Sequence, residues 1–139
     1  RSVVISGAGD RRDQDIREQT RILGAAFDEV ILYQDACQRG RADGEVLALL
    51  RQGLEGARRT RHVEEIHGEF NAIDRALARL KAGDLCLILI DQVEEALAYI
   101  QQRVSEAAPV AVKPVARKTA VGQPKRRKAD TTVALGMRI

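Results

Sequence analysis

Residues 3–17 read Val3-Val4-Ile5-Ser6-Gly7-Ala8-Gly9-Asp10-Arg11-Arg12-Asp13-Gln14-Asp15-Ile16-Arg17. A short apolar run stops at glycines, an Asp-Arg-Arg-Asp cluster occupies the turn, and a helical pattern then opens. In a parallel α/β sheet, ligands gather where a strand ends and the next helix begins. Backbone N–H groups there lack partners, and the helix dipole favours an anion. The stretch therefore places dense charge at the edge where such a fold does its chemistry. As a pattern it is incomplete, because Gly-Ala-Gly lacks the third glycine and the acidic follow-up of a dinucleotide fingerprint.

Outward from that turn the chain alternates regularly. Residues 2–6 read as a buried strand and 13–27 as a helix, with Ile16, Ile22, Leu23 and Ala26 near core-facing spacing. A second strand follows at 29–33, then a polar loop at 34–44. The helix at 45–56 draws its apolar face from Val46, Leu47, Leu49, Leu50 and Leu54. A weaker strand at 61–66 precedes a helix at 69–80, where Phe70, Ile73, Ala76, Leu77 and Leu80 fall at helical spacing. After the turn Lys81-Ala82-Gly83-Asp84, residues 85–90 form a wholly apolar strand. A last helix spans 91–104, capped by Asp91 with Glu94 and Glu95 in its first turn. Apolar strands alternating with amphipathic helices predict an α/β, Rossmann-like three-layer domain, its sheet mostly parallel with about four or more strands.

Charge divides the chain at the same place. Residues 1–104 hold 15 Arg and Lys against 18 Asp and Glu, whereas residues 105–139 hold 8 against 2. The expected organisation is one domain over 1–104 and a basic, disordered tail over 105–139, since the latter has no apolar period. Its run Pro124-Lys125-Arg126-Arg127-Lys128 suits binding an acidic polymer or nucleic acid by counterion release, the alternative being a solvated tail. Without interleaved aromatics it does not suit selective single-strand binding.

The remaining composition excludes several classes. At 139 residues there is room for one domain, and the opening Arg1 points to a piece of something longer. No apolar run is long enough for a membrane span, and no signal peptide is present. Cys37 and Cys86 make no disulfide framework and fit a reducing cytoplasm. Cys86, inside an apolar run, reads as a small buried hydrophobe. His62 and His67 have no third ligand nearby and read as surface polar groups, so no metal site is expected. No Ser-His-Asp or Cys-His order points to nucleophilic catalysis.

Three segments together resemble a known family: Gly9-Asp10-Arg11-Arg12-Asp13, Asp15-Ile16-Arg17-Glu18-Gln19 and Arg39-Gly40-Arg41-Ala42-Asp43-Gly44-Glu45. With the Ala82-Gly83-Asp84 turn, they are similar to the C-terminal domain of Mur-type ATP-dependent amide ligases. The likeness is closer to the Mur-like C-terminal part of cyanophycin synthetases and covers about residues 2–104. It implies a domain that closes over nucleotide and incoming arginine during acyl-phosphate-mediated ligation to an aspartate β-carboxylate. It also implies ATP and Mg bound mainly outside this chain, and ATP-grasp and Mur-like central domains as partners in one homo-oligomeric parent. An aspartate/arginine polymer would be the product. Gly-x-x-x-x-Gly-Lys-Ser/Thr occurs nowhere, so the chain alone is expected to be inactive.

Site candidates follow from position and resemblance together. Arg11 and Arg12 are the catalytic candidates, suited to clamping phosphate oxygens or steadying an acyl-phosphate. The competing reading is a solvated turn, with Asp10 or Asp13 capping the helix. In the loop after the second strand, Asp35 or Asp43 would receive a guanidinium or ribose hydroxyl, and Arg39 and Arg41 a carboxylate. The bland alternative there is a polar surface loop with Asp43 as a cap. Asp10 and Asp91 complete the binding candidates. At Asp91 this chain has Ile90-Asp91-Gln92-Val93-Glu94 where related ligases carry a Gly-Lys-Gly-His-Glu type motif. A second functional class stays open: a non-catalytic Rossmann-like binding module with an electrostatic tail.

Overall fold

The computed structural model describes residues 1–34 and 38–107. The chain divides into two units, Arg1–Ala108 and Pro109–Ile139, and the description concerns the first. Its order is β1 (Ser2–Ile5), α1 (Asp13–Ala26), β2 (Glu29–Gln34), α2 (Glu45–Gly53), β3 (His62–His67), α3 (Glu69–Arg79), β4 (Cys86–Ile88) and α4 (Val93–Ala107). All eight expected elements are present. The strands form one wholly parallel sheet in the order β3-β2-β1-β4, with Val4 paired to Ile31 on one side and Ile88 on the other.

Helices cover both faces. Val3, Ile5, Val30 and Leu32 pack on Ile16 of α1 and on Val46, Leu47, Leu49 and Leu50 of α2. Val4, Ile31 and Tyr33 pack on Ala72 and Ala76 of α3, with half-buried Cys86 at the margin. Alternation along each strand thus feeds two cores, as a doubly covered parallel sheet requires. Beyond α3 lies α4, joined to it by the edge-to-face pair Phe70–Tyr99 (4.8 Å between ring centroids) and by a Tyr99 hydroxyl donating to Asp74 at 2.7 Å.

Several details depart from the sequence pattern. The inward face of α1 is Ile16, Thr20 and Gly24, while Ile22 is exposed. The reason is close approach: the Thr20 hydroxyl donates to the Leu50 carbonyl at 2.7 Å, and Gly53 lies against the Arg17 carbonyl. Small residues serve that crossing better than the larger apolar ones. The last strand is shorter than the apolar run. It pairs only over Cys86–Ile88, and Leu85, Leu87 and Leu89 are 58%, 39% and 39% exposed. α1 and α2 sit over β1 and β2, so among the described residues no helix covers that face of the edge strand.

Helix ends also move. α4 begins at Val93, with Ala96 N–H donating to the Gln92 carbonyl, so Asp91 precedes the helix instead of capping it. It continues to Ala107, three residues past the expected domain boundary. α1 is preceded by Arg12, with no side-chain cap. The tail beyond residue 107, with its basic run, lies outside the described residues, as do Asp35 and Cys37. Among the described residues no helix is long and apolar enough to cross a membrane, and no three His, Cys, Asp or Glu side chains are grouped to hold a metal.

Candidate functional site

The strand order reverses beside β1. The chain steps outward from β1 to β3, then returns to place β4 on the other flank of β1. The loops leaving β1 and β4 therefore diverge at their carboxyl ends and leave a crevice, the position where open α/β sheets bind ligands. A cleft of about 180 Å³ lies there, lined by Ser6, Gly7, Ala8, Arg11, Gln19, Tyr33, Arg39, Leu89, Ile90 and Asp91. Sites for drug-sized ligands run from about 300 Å³ upward. This one is smaller than that range.

The two adjacent arginines part company. Arg11 lines the cleft and makes no ion pair or side-chain hydrogen bond among the described residues. Arg12 turns outward into a two-pronged pair with Asp15, both contacts at 2.9 Å. That pairing raises the Arg12 guanidinium and lowers the Asp15 carboxyl from their ordinary values, mainly through the side-chain hydrogen bonds.

Arg39 crosses the mouth of the cleft. Its Nη1 is 3.3 Å from Asp10 Oδ2 and its Nη2 is 3.5 Å from Asp91 Oδ1. One guanidinium thus links the loops after β1, β2 and β4. Arg39 is also the only non-glycine at positive φ among the described residues (φ 49), with Gly40 following at φ 90. Non-glycine residues held there carry strain of roughly 1–3 kcal/mol and cluster at functional sites.

Arg41 points inward instead. Nε donates to the Gly9 carbonyl and Nη2 to the Arg11 carbonyl, both at 2.7 Å. Its guanidinium also pairs with Asp13 at 2.8 Å and Glu45 at 2.6 Å. Asp13 first, and then Glu45, raise Arg41 above its ordinary value. Asp43 does not cap α2, whose N-cap is Gly44 at φ 78. Its carboxylate accepts from Gln34 Nε2, while Gln34 Oε1 accepts from Gly44 N–H at 2.8 Å. Of the expected candidates, Arg11, Arg39 and Asp91 therefore line one cleft, and Asp10 is tied to it through Arg39. Arg41 and Asp43 brace the loops around it, and Arg12 stands apart.

Sequence patterning passed over Gln34, Tyr33 and Glu69. All three are buried, and each carries a polar group under the loops. The available signal was a polar residue directly abutting an apolar run, as Tyr33-Gln34 abuts Val30-Ile31-Leu32.

Cyanophycin synthetases from Crocosphaera subtropica and Trichormus variabilis are each 33% identical to the chain over 100 residues, 72% of its length. The one from Synechocystis sp. is 32% identical over the same span. The chain is homologous to one segment of cyanophycin synthetase. It spans about 12% of the length of the curated cyanophycin synthetases it matches. No protein-family model matches the chain.

Proposed function

We propose that this chain is the C-terminal, cleft-forming domain of an ATP-dependent amide ligase of the cyanophycin synthetase kind. It acts within a longer parent beside ATP-grasp and Mur-like central domains, and closes over nucleotide and incoming arginine during ligation to an aspartate β-carboxylate. The observation that carries this reading is Arg11, which lines the cleft at the strand-order reversal beyond the carboxyl end of β1 and, among the described residues, makes no side-chain hydrogen bond or ion pair. Preorganised cations aimed at developing phosphoryl charge are the usual means by which such transfers are accelerated.

The residues fit part of the implied cofactor. Arg11 and the backbone at Gly7 and Ala8, which line the cleft, suit phosphate oxygens. ATP with magnesium, held mainly by the central domain, supplies the phosphoryl group that activates the carboxylate. Arg39, between Asp10 and Asp91, orders the rim; its long contacts leave it able to exchange a carboxylate partner for one on a ligand. Arg41 keeps the loop of Arg11 in place through the Gly9 and Arg11 carbonyls. The same self-neutralised rim favours a second reading, a binding module without catalysis.

A chimera separates the two. Residues 1–107 replace the matching segment of a curated cyanophycin synthetase, and arginine-dependent phosphate release is measured on an aspartate-containing primer. Retained turnover that collapses with Arg11→Ala supports the ligase reading. A folded but inert chimera overturns it and leaves the binding module. The isolated chain, given ATP, magnesium, arginine and primer, should release no phosphate; primer-dependent release would contradict the division of labour.

A further inference from the structure

Glu69 is the most deeply buried carboxylate in the described fold, 2% exposed at the first position of α3. An acidic residue in a first helical turn normally stays in solvent and answers the helix dipole. Burial of a carboxylate is costly unless hydrogen bonds satisfy it. Here the donors come from elsewhere in the fold. Oε1 accepts from Asp91 N–H at 2.6 Å and lies 3.2 Å from the Tyr33 hydroxyl; Oε2 accepts from Gln92 N–H at 3.3 Å. The Tyr33 hydroxyl is equally far from the Leu89 carbonyl, so its proton is placed between two acceptors of the same corner. Gly68 makes the turn possible, entering α3 at φ 86.

We infer that Glu69 is a positioning residue for the cleft: it grips the loop after β4 by two consecutive N–H groups and so holds the Asp91 carboxylate opposite Asp10, where Arg39 bridges them. The inference rests on the functional reading of the cleft but names a residue outside it. Glu69 does not itself line the cleft; it reaches it through Asp91 and through Tyr33, both of which do. A glutamate suits this task because it presents two acceptors side by side. A glutamine presents one acceptor and one donor. Whichever way that amide turns, either Asp91 N–H or Gln92 N–H faces another donor.

Glu69→Gln is the test, made first in the 139-residue chain. Far-UV circular dichroism and core methyl resonances should stay as in the wild type. One of the Asp91 and Gln92 amides should lose exchange protection by roughly tenfold, as loss of one hydrogen bond to a charged acceptor implies. The Arg39 Nε resonance should move with it. Unchanged protection and an unmoved Arg39 signal overturn the inference. Should Glu69→Gln fail to fold, the wild type decides: Asp91 and Gln92 amides that exchange as fast as open-loop amides overturn it equally. In the chimera, Glu69→Gln and Asp91→Asn should each lower turnover, and together no further than the larger single effect. Additive losses would contradict action through Asp91. A chimera inert with both native residues defeats the ligase reading, while the amide measurements still judge Glu69.

Discussion

Arg41 Nε lies 2.7 Å from the carbonyl oxygen of Gly9, so the loop after β2 is pinned directly to the loop after β1. A second prong reaches the Arg11 carbonyl, and the guanidinium is half enclosed by Asp13 and Glu45. The planar fork makes these contacts together, which an ammonium on a flexible stem does not reproduce. Arg41→Lys should therefore lower the melting midpoint nearly as much as Arg41→Ala. A lysine variant that melts like the wild type would mean that charge alone suffices.

The neighbouring arginines should separate in function. In the active chimera, Arg11→Ala is expected to slow turnover on the order of a hundredfold, typical for loss of a preorganised electrostatic donor. Arg12→Ala should change it little, because Arg12 is engaged outside the cleft with Asp15. Equal losses from both would show that the cleft is drawn too narrowly.

The α1–α2 crossing has no space for a methyl at Gly53, where a Cβ would collide with the Arg17 carbonyl and the Thr20 hydroxyl. Overpacking of this kind typically costs about 1–3 kcal/mol. Gly53→Ala should lower the urea midpoint accordingly, despite alanine's better helix propensity. A neutral or stabilised variant would mean that the helices part freely.

Asp28 supplies a pH dependence with a definite sign. Arg59 donates to its carboxylate from Nε at 3.0 Å and from Nη2 at 3.2 Å, and this pairing holds the carboxyl below its ordinary value. A carboxyl depressed in the folded state adds stability above its unfolded pKa and loses it as pH falls toward the folded one. The melting difference between wild type and Asp28→Asn should be constant above about pH 5 and shrink as pH falls below about 4. A difference that persists at the lowest pH would trace the effect to packing instead.

The architecture was legible because strand burial and helix amphipathicity are periodic. Val3-Val4-Ile5 and Val30-Ile31-Leu32 announce strands covered on both faces, and Leu49-Leu50 an inward helix face. The misjudged details depended on neighbours distant in the chain. Ile22 follows the helical period yet is exposed, since α1 meets α2 through Thr20 and Gly24. Within the site, charge density at Asp10-Arg11-Arg12-Asp13 marked the right corner. It did not reveal that Arg11 faces inward and Arg12 outward, because that choice rests on Asp15 and the packing of the turn. Glu69 was invisible for a similar reason: its partners are 22, 23 and 36 residues away.

Leu85-Cys86-Leu87-Ile88-Leu89-Ile90 is six apolar residues between Asp84 and Asp91, without charge, proline or glycine. Its Leu85, Leu87 and Leu89 side chains are exposed, and among the described residues β4 has a strand neighbour on one side only. Such a segment at a free edge is a template for fibrous stacking of identical chains. The edge that completes the crevice would thus also seed the polypeptide's own cross-β growth in concentrated solution. A lysine at the outward-facing Leu87 should suppress that growth, read as a delayed rise of an amyloid dye, while leaving the two cores undisturbed.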